Sequence, residues 1–177
     1  MFKAFKKKSG FTLIEFIIYI AIFAFVVLFL VQFLIGILSS QVRTKAREEV
    51  INNAVIAINR IDFETRHAGR VYDATSVFSS DNGQLGLVTP NNPSQGEQET
   101  YVDIFLSADG RLCTKREASG IMCFTSEKVV VTVLRFEKIE TEPEGAKITI
   151  TVEYNTAIEE NKVPYTLETS MKVRGYY

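Results

Sequence analysis

From Phe16 to Val31 the sequence FIIYIAIFAFVVLFLV has no charged and no strongly polar side chain, and it runs on past Gln32 into FLIGIL. An apolar face that continuous has to be removed from water, so its placement governs the rest of the fold. Residues 16–38 number 23, and as a helix they extend about 34 Å. A bilayer's hydrocarbon core is roughly 30 Å thick, so the stretch suits a single span with some tilt. Lys3, Lys6, Lys7 and Lys8 precede it, which favours a cytoplasmic N-terminus and a body outside. Arg43, Lys45 and Arg47 on the far side oppose that orientation but are outnumbered by the leader's lysines and α-amine. The implied location is a membrane bounding the cytoplasm, crossed once.

The remaining composition narrows the function classes. From Phe11 onward 16 basic residues face 21 acidic ones, and an acidic body argues against nucleic-acid binding. Two cysteines and a single histidine, His67, are too few for a four-ligand zinc site, so no metal and no cofactor is expected. No G-x-S-x-G, H-E-x-x-H, phosphate-binding glycine loop or dinucleotide fingerprint occurs, so no catalytic residue is assigned and the chain does not read as an enzyme.

The apolar run is too long for the core of a cleaved secretory signal, which spans about 7–15 residues, and GILSSQ after it is a poor cleavage site. Two features exceed what a plain anchor needs. Glu15 is an acid immediately before the unbroken apolar run, and the KKKSGF junction joins a basic leader directly to the helix at Gly10. Cutting between Gly10 and Phe11 resolves both. It creates an α-amine on Phe11, four residues from the Glu15 carboxylate, and in a bundle of parallel helices that amine can meet the carboxylate of an axially shifted neighbour. Such a pair strengthens at low dielectric and fixes register.

The string K-K-K-S-G-F-T-L-I-E-F ahead of that run resembles the prepilin motif of type IV pilins and type II secretion pseudopilins. The resemblance implies cleavage after Gly10 by a prepilin peptidase, N-methylation of Phe11, and use of Glu15 in subunit docking. It also implies other pilin or pseudopilin subunits and an inner-membrane assembly platform as partners, with lipid before assembly and a surface or periplasmic filament after it. Many major pilins carry a proline inside the apolar helix. Here Gln32 stands at the 22nd mature position and no proline precedes Pro90, which leans the reading towards a minor pilin or pseudopilin. Gln32 and Gly36 suit either ordinary placement near the end of the span or a close helix–helix contact. The competing class is a signal-anchored extracytoplasmic binding module that never polymerises.

Beyond the span, Ile51, Ala54, Val55, Ile58 and Ile61 follow helical spacing, with Arg43, Arg47, Asn53 and Arg60 off that stripe, and Gly69 marks a stop. His67 sits at this helix end, and RIDFETRHAGRV resembles the helix end of J-like minor pseudopilins. Alternation then changes to period two over residues 85–89, 101–106, 111–115, 129–139, 147–154 and 165–173, separated by turns at Asp81-Asn82-Gly83, Ala108-Asp109-Gly110 and Pro143-Glu144-Gly145. Residues 89–99 lack periodicity and read as a mobile loop.

The fold expected is α+β and pilin-like: a long N-terminal helix packed against an antiparallel β-sheet head. Its parts are a leader at 1–10, a membrane or filament-core helix at 11–40, an amphipathic half at 41–69 and the head at 70–177. Cys113 and Cys123 flank a short turn-bearing segment, and outside the cytoplasm they would oxidise to a disulfide. The alternative is two thiols on neighbouring strands.

Overall fold

The computed structural model describes Gly10 and residues 12–93, 95–117 and 119–174. The chain divides into two units, one up to Val42 and one from Arg43 onward. A single helix, α1 (Leu13–Arg66), runs through the boundary without interruption. Nothing in its sequence would break it, since residues 13–66 contain no proline and only one glycine, Gly36. In the first unit, every helical residue is exposed within the single chain. A helix that is apolar on all sides buries itself against lipid or other chains, not against its own fold.

In the second unit α1 has one dry face, made by Ala46, Val50, Asn53, Ala54, Ala57, Ile61, Glu64 and Thr65. This face is rotated from the expected stripe. Val55 is exposed and Ile51 and Ile58 are only half-buried, whereas Asn53, expected off the stripe, is buried. Apolarity alone misjudged the phase because Asn53 is buried with its hydrogen bonds made. Its Nδ2 donates to Glu49 O at 2.8 Å, and its Oδ1 accepts from Ser126 N at 2.8 Å. The alanines at 46, 54 and 57 are fully buried on this face. Helical geometry ends at Arg66, three residues before Gly69, whose N–H already donates to Val88 O at 2.8 Å.

The antiparallel head is built as two sheets. The first runs in spatial order β1 (Arg70–Val71), β2 (Leu85–Thr89), β3 (Thr100–Leu106), β4 (Leu112–Arg116) and β5 (Ile121–Cys123); the second is β6 (Val129–Ile139), β7 (Gly145–Tyr154) and β8 (Tyr165–Lys172). The short strands β1 and β5 carry too little pattern to be read from sequence. Along β7, Ala146, Ile148, Ile150 and Val152 are buried in alternation. They join Leu85, Leu87, Val102, Ile104, Leu134, Phe136 and the buried face of α1 in one core. The sheets are tied where Gly83 N donates to Leu134 O and Leu134 N to Asp81 O, both at 2.7 Å. A Cβ on Gly83 would lie 2.7 Å from Leu134 O, so this crossing requires glycine. The turn between β3 and β4 closes on Gly110 at φ +73°. On the second sheet Lys147 Nζ lies 3.8 Å from Glu137 and 3.5 Å from Glu168, a charge ladder across three strands.

Two devices hold the β4–β5 hairpin, one against α1 and one within the hairpin itself. Glu64, 3 % exposed, forms an ion pair with Arg60 at 2.6 Å and accepts a hydrogen bond from Arg116 of β4 at 2.8 Å. The Arg60 guanidinium also lies over the rings of Phe63 and Phe124. The second device is a disulfide between Cys113 and Cys123. Phe124 N donates to Leu112 O, so the cysteines occupy the adjacent non-hydrogen-bonded pair, where facing Cα atoms come closest. Ile121 and Met122 are about 60 % exposed, so β5 gains almost nothing from burial and depends on the sulfur bridge.

Two predictions follow from these contacts. Replacing both cysteines by serine should speed amide exchange across 119–124 while β6–β8 stay protected, and should lower unfolding stability by about 2–3 kcal/mol. Unchanged exchange would show that β5 is held by other contacts. Glu64→Ala should be the more damaging change, at about 3 kcal/mol, the lower end for a buried pair, because it leaves the partly exposed guanidinium groups of Arg60 and Arg116 without their buried carboxylate; thermal unfolding of the detergent-solubilised chain reads it.

Candidate functional site

The chemistry-bearing residues of the first unit cluster at the start of α1. Thr12 is the residue before the helix, and Glu15 is the third residue within it. Thr12 N and Thr12 Oγ1 each donate to Glu15 Oε2 at 3.0 Å, and Glu15 N donates back to Thr12 Oγ1 at 3.4 Å. This is a reciprocal cap: the hydroxyl satisfies an amide of the first turn while the carboxylate satisfies the amide of the capping residue. The negative charge also faces the positive end of the helix dipole. Sequence reasoning placed Glu15 here but missed Thr12, although the T-x-x-E spacing ahead of an apolar run was the available signal.

The cap fixes where the carboxylate points. Instead of projecting sideways into an apolar medium, it folds back towards the chain's N-terminal side, onto the amide of Thr12, the first amide of the proposed cleavage product. Gly10 is exposed, and a Cβ there would meet nothing within 4 Å. Phe11, expected to be methylated, and leader residues 1–9 lie outside the described residues.

The described residues contain one helix long and apolar enough to cross a membrane, α1. A family profile for the prokaryotic N-terminal methylation motif matches residues 5–31. The N-terminal segment is prepilin-like. The match covers residues 5–10 of the leader, the Gly10–Phe11 junction, Glu15 and most of the apolar run. Neither the curated proteins nor the solved structures return a match to the chain. A prepilin-type motif points to processing by prepilin peptidase, to assembly with other pilins, and to a membrane-anchored structural protein.

Other residues singled out from sequence lie apart from this site. Gly36 accepts a hydrogen bond from Ser39 Oγ at 3.0 Å and lines a shallow groove with Phe33, Ile37, Ser40 and Gln41. His67 stacks on Phe63 with ring centroids 4.3 Å apart, and its Nδ1 lies 2.7 Å from Phe63 O. Cys113 and Cys123 belong to the hairpin of the head. No group of three histidine, cysteine or acidic side chains suited to a metal occurs among the described residues. The head's cleft of about 430 Å³ is lined by Val77, Gly83, Phe105, Val131 and the neutral amides Asn82 and Gln84, with no titratable side chain.

Thr12→Val keeps the side chain's shape but removes the hydroxyl. It should raise amide exchange at residues 13–15 in micelles, with a local loss of about 1 kcal/mol, and leave the rest of α1 unaffected. Protection equal to that of the unaltered chain would show that the cap contributes nothing.

Proposed function

We propose that the chain is a structural subunit of a type IV pilus-like or type II secretion pseudopilus filament, and within that class a minor pilin or pseudopilin. The observation that carries this reading is the combination at one helix end. A prepilin-type junction, a single acid at the fifth position past it, and a helix exposed on every side stand together within thirty residues. On this reading residues 1–10 are removed, Phe11 is N-methylated, and residues 11–40 pass from lipid into a bundle of similar helices. The transfer is energetically close to level, because one apolar surrounding replaces another.

Glu15 makes the move directional. Within the monomer its carboxylate is held by Thr12. In the filament the amine of a neighbouring subunit takes over as partner, and a full opposite charge in a low-dielectric bundle outweighs a neutral cap. The absence of proline between residues 13 and 66 favours an unbroken helix in the assembled state and supports the minor-subunit reading. The span holds the subunit in the cytoplasmic membrane with the head outside, which gives its disulfide an oxidising surrounding.

Two measurements test the reading. N-terminal sequencing of mature protein from cells should begin at N-methyl-Phe11; a functional protein that begins at Met1 would overturn it. Glu15→Ala should insert into membranes normally yet drop out of sheared filament fractions by at least about ten-fold. An anchored module that never polymerises would be indifferent to the change.

A further inference from the structure

Basic residues are treated unequally along the chain. From Arg60 to Lys162 every one except Lys115 lies within ion-pair distance of a carboxylate. Arg43, Lys45 and Arg47 are all exposed, and none of them forms an ion pair among the described residues. Suitable acids stand close by. Glu48 is one turn from Lys45 without pairing to it, and Glu49 instead faces Ser126 at 3.3 Å and Lys128 at 3.6 Å. Like charges at an i, i+4 spacing, as Arg43 and Arg47 have, disfavour a helix. The helix therefore carries three cations that its own fold does not use.

Their position supplies the second observation. Arg43 is five residues past Leu38, the end of the apolar run, or about 7 Å along a helix, and Arg47 is about 13 Å along. A bilayer's headgroup layer is roughly 5–8 Å deep on each side, and long basic side chains bend back towards it while their stems stay on apolar surface. Guanidinium forks match phosphate oxygens in geometry as well as charge.

We propose that Arg43, Lys45 and Arg47 form a collar that binds the phosphates of anionic phospholipids in the leaflet on the head's side of the membrane. The proposal rests on reading α1 as a membrane span. The collar sets the depth of the waiting subunit and opposes the positive-leader bias noted in the sequence. When the subunit leaves the bilayer, these contacts break and the cations are freed. The occupant is lipid because all three residues fall within reach of headgroup depth, with Lys45 on the side of the helix opposite Arg43 and Arg47; a protein partner on one side would leave the other unmet.

The test uses the full-length chain in nanodiscs of equal phosphatidylglycerol and phosphatidylcholine, with co-purifying lipid measured by native mass spectrometry. The unaltered chain should retain phosphatidylglycerol preferentially. R43Q/K45Q/R47Q should reduce that retention at least about five-fold, the factor expected from even one surface cation. The charge-matched K115Q/K172Q/R174Q should leave it unchanged; the leader lysines are common to all three and cancel. Equal retention by the collar variant overturns the proposal, as does a variant that keeps its lipid but loses self-association, which would assign the cations to a second copy. Failure of the unaltered chain to insert overturns the span itself, and the collar with it.

Discussion

The constraint on which everything else depends is that the first unit's helix has no face fit for water. Its main-chain groups are satisfied within the helix, and its side chains are apolar all round, so it is equally at home in lipid or among similar helices. Such a segment supplies little preference between those two surroundings. A preference has to come from the few groups that are not apolar, and Thr12 and Glu15 are those groups at its start. The cap reduces the penalty of placing a carboxylate beside hydrocarbon while keeping that carboxylate at the helix end, where a cleaved chain presents its amine.

The second half of the same helix obeys different rules. There the helix packs by alanine and valine against two sheets, and its polar residues are placed where a specific partner meets them. Asn53 bridges to the Ser126 backbone. Glu64 gathers Arg60 and Arg116. Asn53 and one Glu64 oxygen are hydrogen-bonded across the interface, and the other Glu64 oxygen faces Arg60 as an ion pair. The β4–β5 hairpin, too short to hold itself by burial, is fastened by the Glu64 cluster at one end and by sulfur at the other.

Much of this was legible from sequence, and the reasons are specific. The span, its basic leader and Glu15 could be read because they form one contiguous pattern, and the longer strands because β7 alternates strictly from Ala146 to Val152. The failures share a cause. The phase of α1 was misjudged because Asn53 looks solvent-facing until its partner Ser126, distant in sequence, is known. β1 and β5 are too short to show a period, and the Gly83–Leu134 crossing that ties the head's two sheets joins residues far apart in sequence, which no local pattern announces. At the candidate site the acid was found and its capping threonine was not, since a hydroxyl at a helix entrance is also an ordinary feature of many helices.

The ladder of Lys147, Glu137 and Glu168 has a consequence for life at close quarters. β8 is an outer strand, and strands at the border of a sheet invite pairing with whatever strand lies alongside. Its solvent-facing positions are Thr166, Glu168, Ser170 and Lys172, so a strand laid against this border would meet charges and hydroxyls and bury no apolar surface. In a filament of the kind proposed, such a border would offer neighbouring heads no apolar edge, and cohesion between subunits would fall to their helices.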